Sequence, residues 1–335
     1  MQEDKWPRIA VMGAGALGCY FGGMFARAGA PVTLIGRAQH VEAMTRAGLS
    51  FDSIHFRQQI PVSASTNAAA VRDAEIVLLC VKSPDTVEAA KSLGPHLRRG
   101  TVLVSLQNGV DNVERIRAAT GIEAIPASVY VATEMTGPGC VKHTARGDLV
   151  IGDLSGLYGT DESRRLQLER LATLFGRAGI SCTVSENIAG DLWTKLVMNC
   201  AYNAISALSR SRYGRMVRSP WIRELMRQVI GEVVAVGHAA GVRFPDVNLV
   251  EAGLKLAETM PNAISSTAQD LARGKRTEID SLNGYVARRG AELGVATPVN
   301  QTLHALVKLL EEAAWDAPAT PGSGAYPPTH HGAGT

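Results

Sequence analysis

The chain has 335 residues, 46% of them apolar and 19% charged, with a net charge of +3. At about 100–200 residues per domain this suggests two domains with proper cores and excludes a globally disordered or collagen-like chain. The weak charge, with no block of five or more basic residues, gives no argument for nucleic acid, and no apolar run approaches the roughly 20 residues of a membrane span.

The first predicted strand is Arg8–Met12, followed by Gly13-Ala14-Gly15-Ala16-Leu17-Gly18 and a helix from about Ala16 to Ala28. A G-x-G-x-x-G loop after a strand and opening a helix is the context in which the motif binds a dinucleotide. Gly13 permits the tight turn, Gly15 lets a pyrophosphate approach, and Gly18 lets helix and strand pack closely. A second strand, Pro31–Ile35, ends in Gly36-Arg37. NAD enzymes usually carry an acid about 20 residues past the loop. Here the nearest is Glu42, and Arg37 is placed to receive a 2′-phosphate, which points to NADPH.

Glu75–Val81 and Thr101–Leu106 read as strands covered on both faces. Lys82 and Asn108 follow them directly, at the carboxyl ends where open α/β sheets bind ligands. Taken alone, Asn108 fits an ordinary Asn-Gly turn. Asp148–Ile151 and Ile180–Val184 are later strands flanking a helix from Asp161 to Ala178. After about residue 185 the pattern is helical as far as Ala314, broken at Gly214, Ser219-Pro220, Gly241 with Pro245, Pro261, Gly274 and Gly294. The fold class is therefore an α/β Rossmann-type domain over 1–185, an all-α domain over 186–315, and a Pro- and Gly-rich flexible tail over 316–335.

The first helix of the second half is mostly apolar. At 100° per residue, Lys195, Asn199, Tyr202, Asn203 and Ser206 fall within an arc of about 100°. One ammonium beside short amides, on a helix too apolar for a surface, reads as the lining of a cleft. The Arg210, Arg212, Arg215, Arg218 stretch reads as a solvated or interface face. Five scattered cysteines without C-x-x-C read as buried small hydrophobes in a reducing compartment, and the absence of H-E-x-x-H argues against zinc. The N-terminus lacks an apolar stretch of signal-peptide length, so the cytoplasm is the default expectation.

Together the residues resemble the ketopantoate reductase family, 2-dehydropantoate 2-reductases, from about Arg8 to Ala314. The resemblance rests on G-A-G-A-L-G at 13–18, Arg37, Lys82, L-Q-N-G at 106–109 and W-x-K-L-x-x-N-x-x-x-N at 193–203. It continues with Ser265-Ser266, T-E-I-D at 277–280, Asn283-Gly284 and T-P-V-N at 297–300. It implies NADPH-dependent reduction of a 2-oxo acid to a 2-hydroxy acid, 2-dehydropantoate to (R)-pantoate in the family's name reaction, in a cleft between the domains. Lys195 then matches the general acid. Asn199, Asn203 and Ser266 match substrate-binding residues, while Lys82, Asn108, Ala132 and Glu278 match residues around the cofactor and reacting centre. No metal is implied, the partner is a small 2-oxo acid, and a homodimer is left open.

Two positions depart from the pattern. Ala263 stands where pantoate reductases carry a substrate-contacting Asn, with Asn262 one place off, and Tyr213 stands where they carry a further Asn. Another 2-oxo acid is therefore an alternative substrate. A dehydrogenase of the same architecture acting on a 3-hydroxy acid and a non-catalytic NADPH sensor are the competing readings. A sensor has no use for Lys195, Asn199, Asn203, Ser266 and Glu278 on separate helices.

Overall fold

The computed structural model describes residues 5–155 and 161–316. The chain divides into two compact units, Met1–Trp193 and Thr194–Thr335. The division falls inside a helix, α6 below. The expected tail lies outside the described residues from 317 onward.

In the first unit the elements are β1 (Ile9–Met12), α1 (Ala16–Arg27), β2 (Val32–Ile35), α2 (Ala38–Ala47), β3 (Leu49–Ser53), β4 (Arg57–Ile60) and β5 (Ser63–Ser65). There follow β6 (Ile76–Leu79), α3 (Thr86–Leu93), β7 (Val102–Ser105), α4 (Asn112–Thr120), β8 (Ala124–Gly137), β9 (Cys140–Gly152), α5 (Glu162–Arg177) and β10 (Cys182–Ser185). Six strands run parallel in the order β5-β2-β1-β6-β7-β8. Numbered along the chain that is 3-2-1-4-5-6, the Rossmann order. Beyond β8 the sheet turns mixed. Long β9 pairs antiparallel with β8, β3 and β10 line the far edge of β9, and β4 hangs antiparallel on β3.

Strand residues alternate between two cores. Ile9, Val11, Ile76 and Leu78 pack with Phe21 and Phe25 of α1 and Phe175 of α5. Ala10, Val77, Leu79 and Leu103 pack with Ala89, Ala90 and Leu93 of α3 and Ile116 of α4. Burial on both faces explains the unbroken apolar run in EIVLLCV. The expected strands and helices of this half are present, but β3, β4, β5, β8 and the first half of β9 were not expected. Strand β4 has three exposed polar residues out of four, and β8 carries Pro126 near its start, so neither shows a clean period-2 apolar pattern.

The second unit is helical: α6 (Ile188–Ser209), α7 (Tyr213–Met216), α8 (Pro220–Ala239), α9 (Leu249–Thr259), α10 (Ser266–Ala272), α11 (Asn283–Leu293) and α12 (Pro298–Asp316). Gly214 lies within short α7 rather than at a break. Helix α8 buries Met226, Val229, Ile230 and Val233, the stripe of a core helix, and packs on α9, α11 and α12. No described helix is long and apolar enough to cross a membrane.

Two motifs serve this helical core. The Glu232 carboxylate accepts from the Val299 and Asn300 N–H groups, both at 2.9 Å, and so caps α12. It also accepts from Asn300 Nδ2 at 2.7 Å, and Asn300 Oδ1 accepts from Asn283 Nδ2 at 2.9 Å. Asn283 and Asn300 are fully buried. The asparagines of T-P-V-N and Asn283-Gly284 thus tie α8, α11 and α12 together. All five cysteines are free: Cys19, Cys80 and Cys200 are buried, Cys140 and Cys182 half-buried.

Candidate active site

In the first unit the glycine loop leaves β1 beside β6, where the strand order reverses. The N–H groups of Gly13 and Ala14 both donate to Ile35 O at 2.9 Å, which fastens the loop to the end of β2. Gly13 has φ +110°, and a Cβ there would lie 2.7 Å from the Cys80 carbonyl carbon and from the Val81 nitrogen. A Cβ on Gly18 would run into Gly13 O. At Gly15 a Cβ would meet nothing within 4 Å. Two glycines thus close the turn and the third leaves open space over the start of α1. There Gly15 is the N-cap and supplies no side-chain cap. The first intrahelical bond is Cys19 N–H to Gly15 O, 2.8 Å. The N–H groups of Ala16, Leu17 and Gly18 precede it, and with the positive end of the helix dipole they suit a phosphate. These residues fit a dinucleotide.

Gly36 brings the end of β2 against this loop, because a Cβ on it would sit 2.6 Å from that of Ala14. Arg37 follows as the exposed N-cap of α2. Its guanidinium side chain therefore starts at the rim of the glycine loop, within the same unit.

Lys82 and Asn108 lie in the loops that follow β6 and β7, and a buried polar network sets the two loops. Ser83 Oγ donates to Asn108 O at 2.6 Å, and Asn112 Nδ2 donates to the same carbonyl at 2.6 Å. Gln107 Nε2 donates to Val81 O at 3.0 Å and to Thr86 Oγ1 at 2.7 Å. Thr86 Oγ1 lies 2.8 Å from Asn112 Oδ1. The backbone on either side of Lys82 and at Asn108 is thereby fixed by Ser83, Thr86, Gln107 and Asn112, each under 5% exposed. Ala132 lies mid-way along β8, opposite Ala145, between two irregularities of the β8–β9 register. Bulges of this kind re-aim side chains at functional edges.

In the second unit α6 carries the polar stripe. Lys195 and Asn199 are half-buried, whereas Tyr202, Asn203 and Ser206 are buried. Tyr202 donates to Gly253 O at 2.6 Å, and Ser206 Oγ donates to Ser211 O at 2.9 Å, so both are structural. The remaining polar face is Lys195, Asn199 and Asn203, one turn apart. The Asn203 carbonyl accepts from Ser265 Oγ at 3.1 Å. Ser265 is the buried N-cap of α10, accepting from Ala268 N–H, and Ser266 next to it is exposed. The paired serines thus divide: Ser265 holds the turn to α6 and Ser266 presents a hydroxyl. Tyr213 and Ala263 are hydrogen-bonded to each other, N–H to O at 3.1 Å, and the Tyr213 ring packs 4.3 Å from that of Tyr202. Burial pushes the Tyr213 phenol upward. Glu278 is half-buried between Thr277 and Ile279, which point inward at 1% and 0% exposure.

Residues 9–156 match the model of ketopantoate reductase PanE/ApbA, and residues 187–311 match that of the ketopantoate reductase PanE/ApbA C terminal. The 2-dehydropantoate 2-reductase of Pyrococcus horikoshii is 33% identical over 91% of this chain and 97% of its own. The chain belongs to the ketopantoate reductase family. It is accordingly an oxidoreductase. The 2-dehydropantoate 2-reductase of Halobacterium salinarum is also 33% identical, over 91% of this chain and 99% of its own. Among solved structures, a PanE/ApbA family ketopantoate reductase from Ralstonia eutropha JMP134 superposes with TM-score 0.86 at 48% identity, covering 92% of this chain and 99% of that one. A D-mandelate dehydrogenase solved with NADH and anilino(oxo)acetate has the same fold, TM-score 0.84 at 23% identity, with 92% and 99% covered.

For this reductase fold, Ser83, Thr86 and Asn112 are residues that the sequence did not mark. Ser83 lies in the turn after β6, and Thr86 and Asn112 open α3 and α4. The bonds that join the two loops, Ser83 to Asn108 O and Thr86 to Asn112 and Gln107, span more than 20 positions.

Proposed function

We propose that the chain reduces a 2-oxo acid to the 2-hydroxy acid with NADPH, with 2-dehydropantoate giving (R)-pantoate as the first candidate. The observation that carries this reading is Lys195, half-buried and one turn from Asn199 on a mostly apolar helix, in a chain whose glycine loop fits a dinucleotide. NADPH, when bound, supplies a hydride from nicotinamide C4 to the ketone carbon. The protein's part is to hold the groups and manage the proton. Lys195 gives an ammonium proton to the carbonyl oxygen as negative charge develops there, which turns an alkoxide into an alcohol. Asn199, Asn203 and Ser266 offer neutral hydrogen bonds to the substrate's carboxylate and hydroxyl groups. Glu278 and Lys82 bear on the reacting centre, and Gly13 to Gly18, Asn108 and Ala132 shape the cofactor site.

Arg37 sets the choice of cofactor. A hydrogen bond to a charged group contributes roughly 1.5–3 kcal/mol, or about 10- to 100-fold in affinity. NADPH is expected to be preferred over NADH by at least that factor in kcat/KM, and Arg37→Ala is expected to remove most of the preference. Equal Michaelis constants for the two cofactors in the wild-type enzyme contradict this assignment.

One observation favours a second reading, a different branched 2-oxo acid as substrate. Both departures from the pantoate pattern, Tyr213 and Ala263, sit on a single hydrogen bond, so two amides are missing from one place. Ala263→Asn restores one. If 2-dehydropantoate is the substrate, this change should raise its kcat/KM by about 2- to 10-fold, the yield of one neutral hydrogen bond. Unchanged kinetics, with fast turnover of another branched 2-oxo acid, favour the second reading.

A further inference from the structure

We infer that the polar face of α12 made by His304, Lys308 and Glu311 is the device that positions Glu278. The inference rests on the reading of Glu278 as part of the active site. The three residues are spaced i, i+4, i+7, which puts them on one stripe of the helix. That stripe meets the segment Thr277–Asp280 on both sides of Glu278. On one side the Thr277 N–H donates to Glu311 Oε1 at 2.6 Å. On the other, Asp280 Oδ1 lies 2.7 Å from His304 Nε2 and Asp280 Oδ2 lies 3.2 Å from Lys308 Nζ. Lys308 Nζ also reaches Glu311 Oε2 at 2.8 Å, so one ammonium joins the two anchors.

The charges in the cluster are consistent with a clamp. Hydrogen bonding from His304 holds the Asp280 carboxyl well below the usual carboxylate range. Burial pushes Glu311 up, but the hydrogen bonds from Lys308 and Thr277 outweigh it, and its net direction is down. Both stay ionised at neutral pH. Arg276 lies 3.7 Å from Asp280 and Arg288 donates to its carbonyl at 2.8 Å. Glu311 is only 4% exposed. A buried carboxylate is costly, and an apolar side chain in its place often stabilises as well or better. What an apolar residue cannot do is take the peptide N–H of the residue just before Glu278. With Thr277 and Ile279 buried and both flanking groups tied to one helix, Glu278 has its backbone fixed at either end. A shift of about 1 Å in such a group costs up to about 100-fold in rate.

The test is a double-mutant cycle of Lys308→Met against Glu278→Gln, read as single-turnover rates with enzyme in excess so that slow variants remain measurable. The expected result is a loss of about 10- to 100-fold for Lys308→Met alone, recovery in Lys308→Arg, and little further loss in the Glu278→Gln background. An equal loss in both backgrounds overturns the inference and leaves the reading of Glu278 standing. A Glu278→Gln enzyme with wild-type rate overturns that reading, and the inference with it. Should Lys308→Met fail to fold, Glu311→Gln takes its place in the cycle; it keeps an acceptor for Thr277 but drops the ion pair.

Discussion

Lys195→Met is expected to lower kcat by about 10²–10⁴-fold, the usual contribution of a positioned general acid. Methionine keeps the length and the packing of the stem and removes only the proton and the charge. NADPH affinity should change little, because the glycine loop and Arg37 belong to the other compact unit. The melting temperature should fall little, since methionine keeps the packing of the half-buried stem. A structural lysine would behave differently: its loss would lower the melting temperature and reduce every kinetic constant together. If Lys195→Met keeps more than about a tenth of wild-type kcat, far above what loss of a general acid leaves, the proton comes from another group, and Lys82 is the next candidate.

Gly13→Ala is the second large effect. The new methyl would lie 2.7 Å from backbone atoms of Cys80 and Val81, at a φ of +110° that L-residues rarely adopt. Backbone strain and overpacking of this kind cost roughly 2–5 kcal/mol together. Urea unfolding should show that loss, and NADPH binding should weaken with it. Gly15→Ala is the control, because its methyl meets nothing within 4 Å. Its stability should stay within about 0.5–1 kcal/mol of wild type, the cost of an unstrained substitution, while NADPH binding weakens as the methyl takes up the space a phosphate needs. Equal stability of the two variants would contradict the packing of the loop onto β6.

The contrast between these two glycines shows where sequence pattern carries information. Ile9–Met12, Ile76–Leu79 and Val102–Ser105 are buried on both faces, so their apolar runs announce them. The Arg57–Ile60 and Ser63–Ser65 strands are short, polar and at or near sheet edges, so pairing rather than side-chain pattern makes them strands. Strand β8, with Pro126 and its irregular register against β9, breaks the alternation that would reveal it. The stripe on α6 was legible from helical period alone, but period cannot separate Asn199 from Tyr202, whose hydroxyl is spent on Gly253 O. The asparagines at 283 and 300 enter the sequence reading only as motif positions, and in space they bond to the helical core. The Glu311 carboxylate was hidden for the converse reason. On a helix with charged residues at Lys308, Glu311 and Glu312, only the tertiary fold decides that Glu311 faces inward to the Thr277 N–H.

The reduction of a 2-oxo acid is tested most directly by initial rates of NADPH oxidation with the purified full chain over a panel of 2-oxo acids that includes 2-dehydropantoate, with NADH in parallel. The expected result is saturable oxidation of NADPH with at least one branched 2-oxo acid, formation of the matching 2-hydroxy acid in equal amount, and a rate with NADH lower by about 10-fold or more. A protein that binds NADPH tightly yet oxidises it with none of these acids would contradict a 2-oxo acid reductase and favour a cofactor-binding sensor.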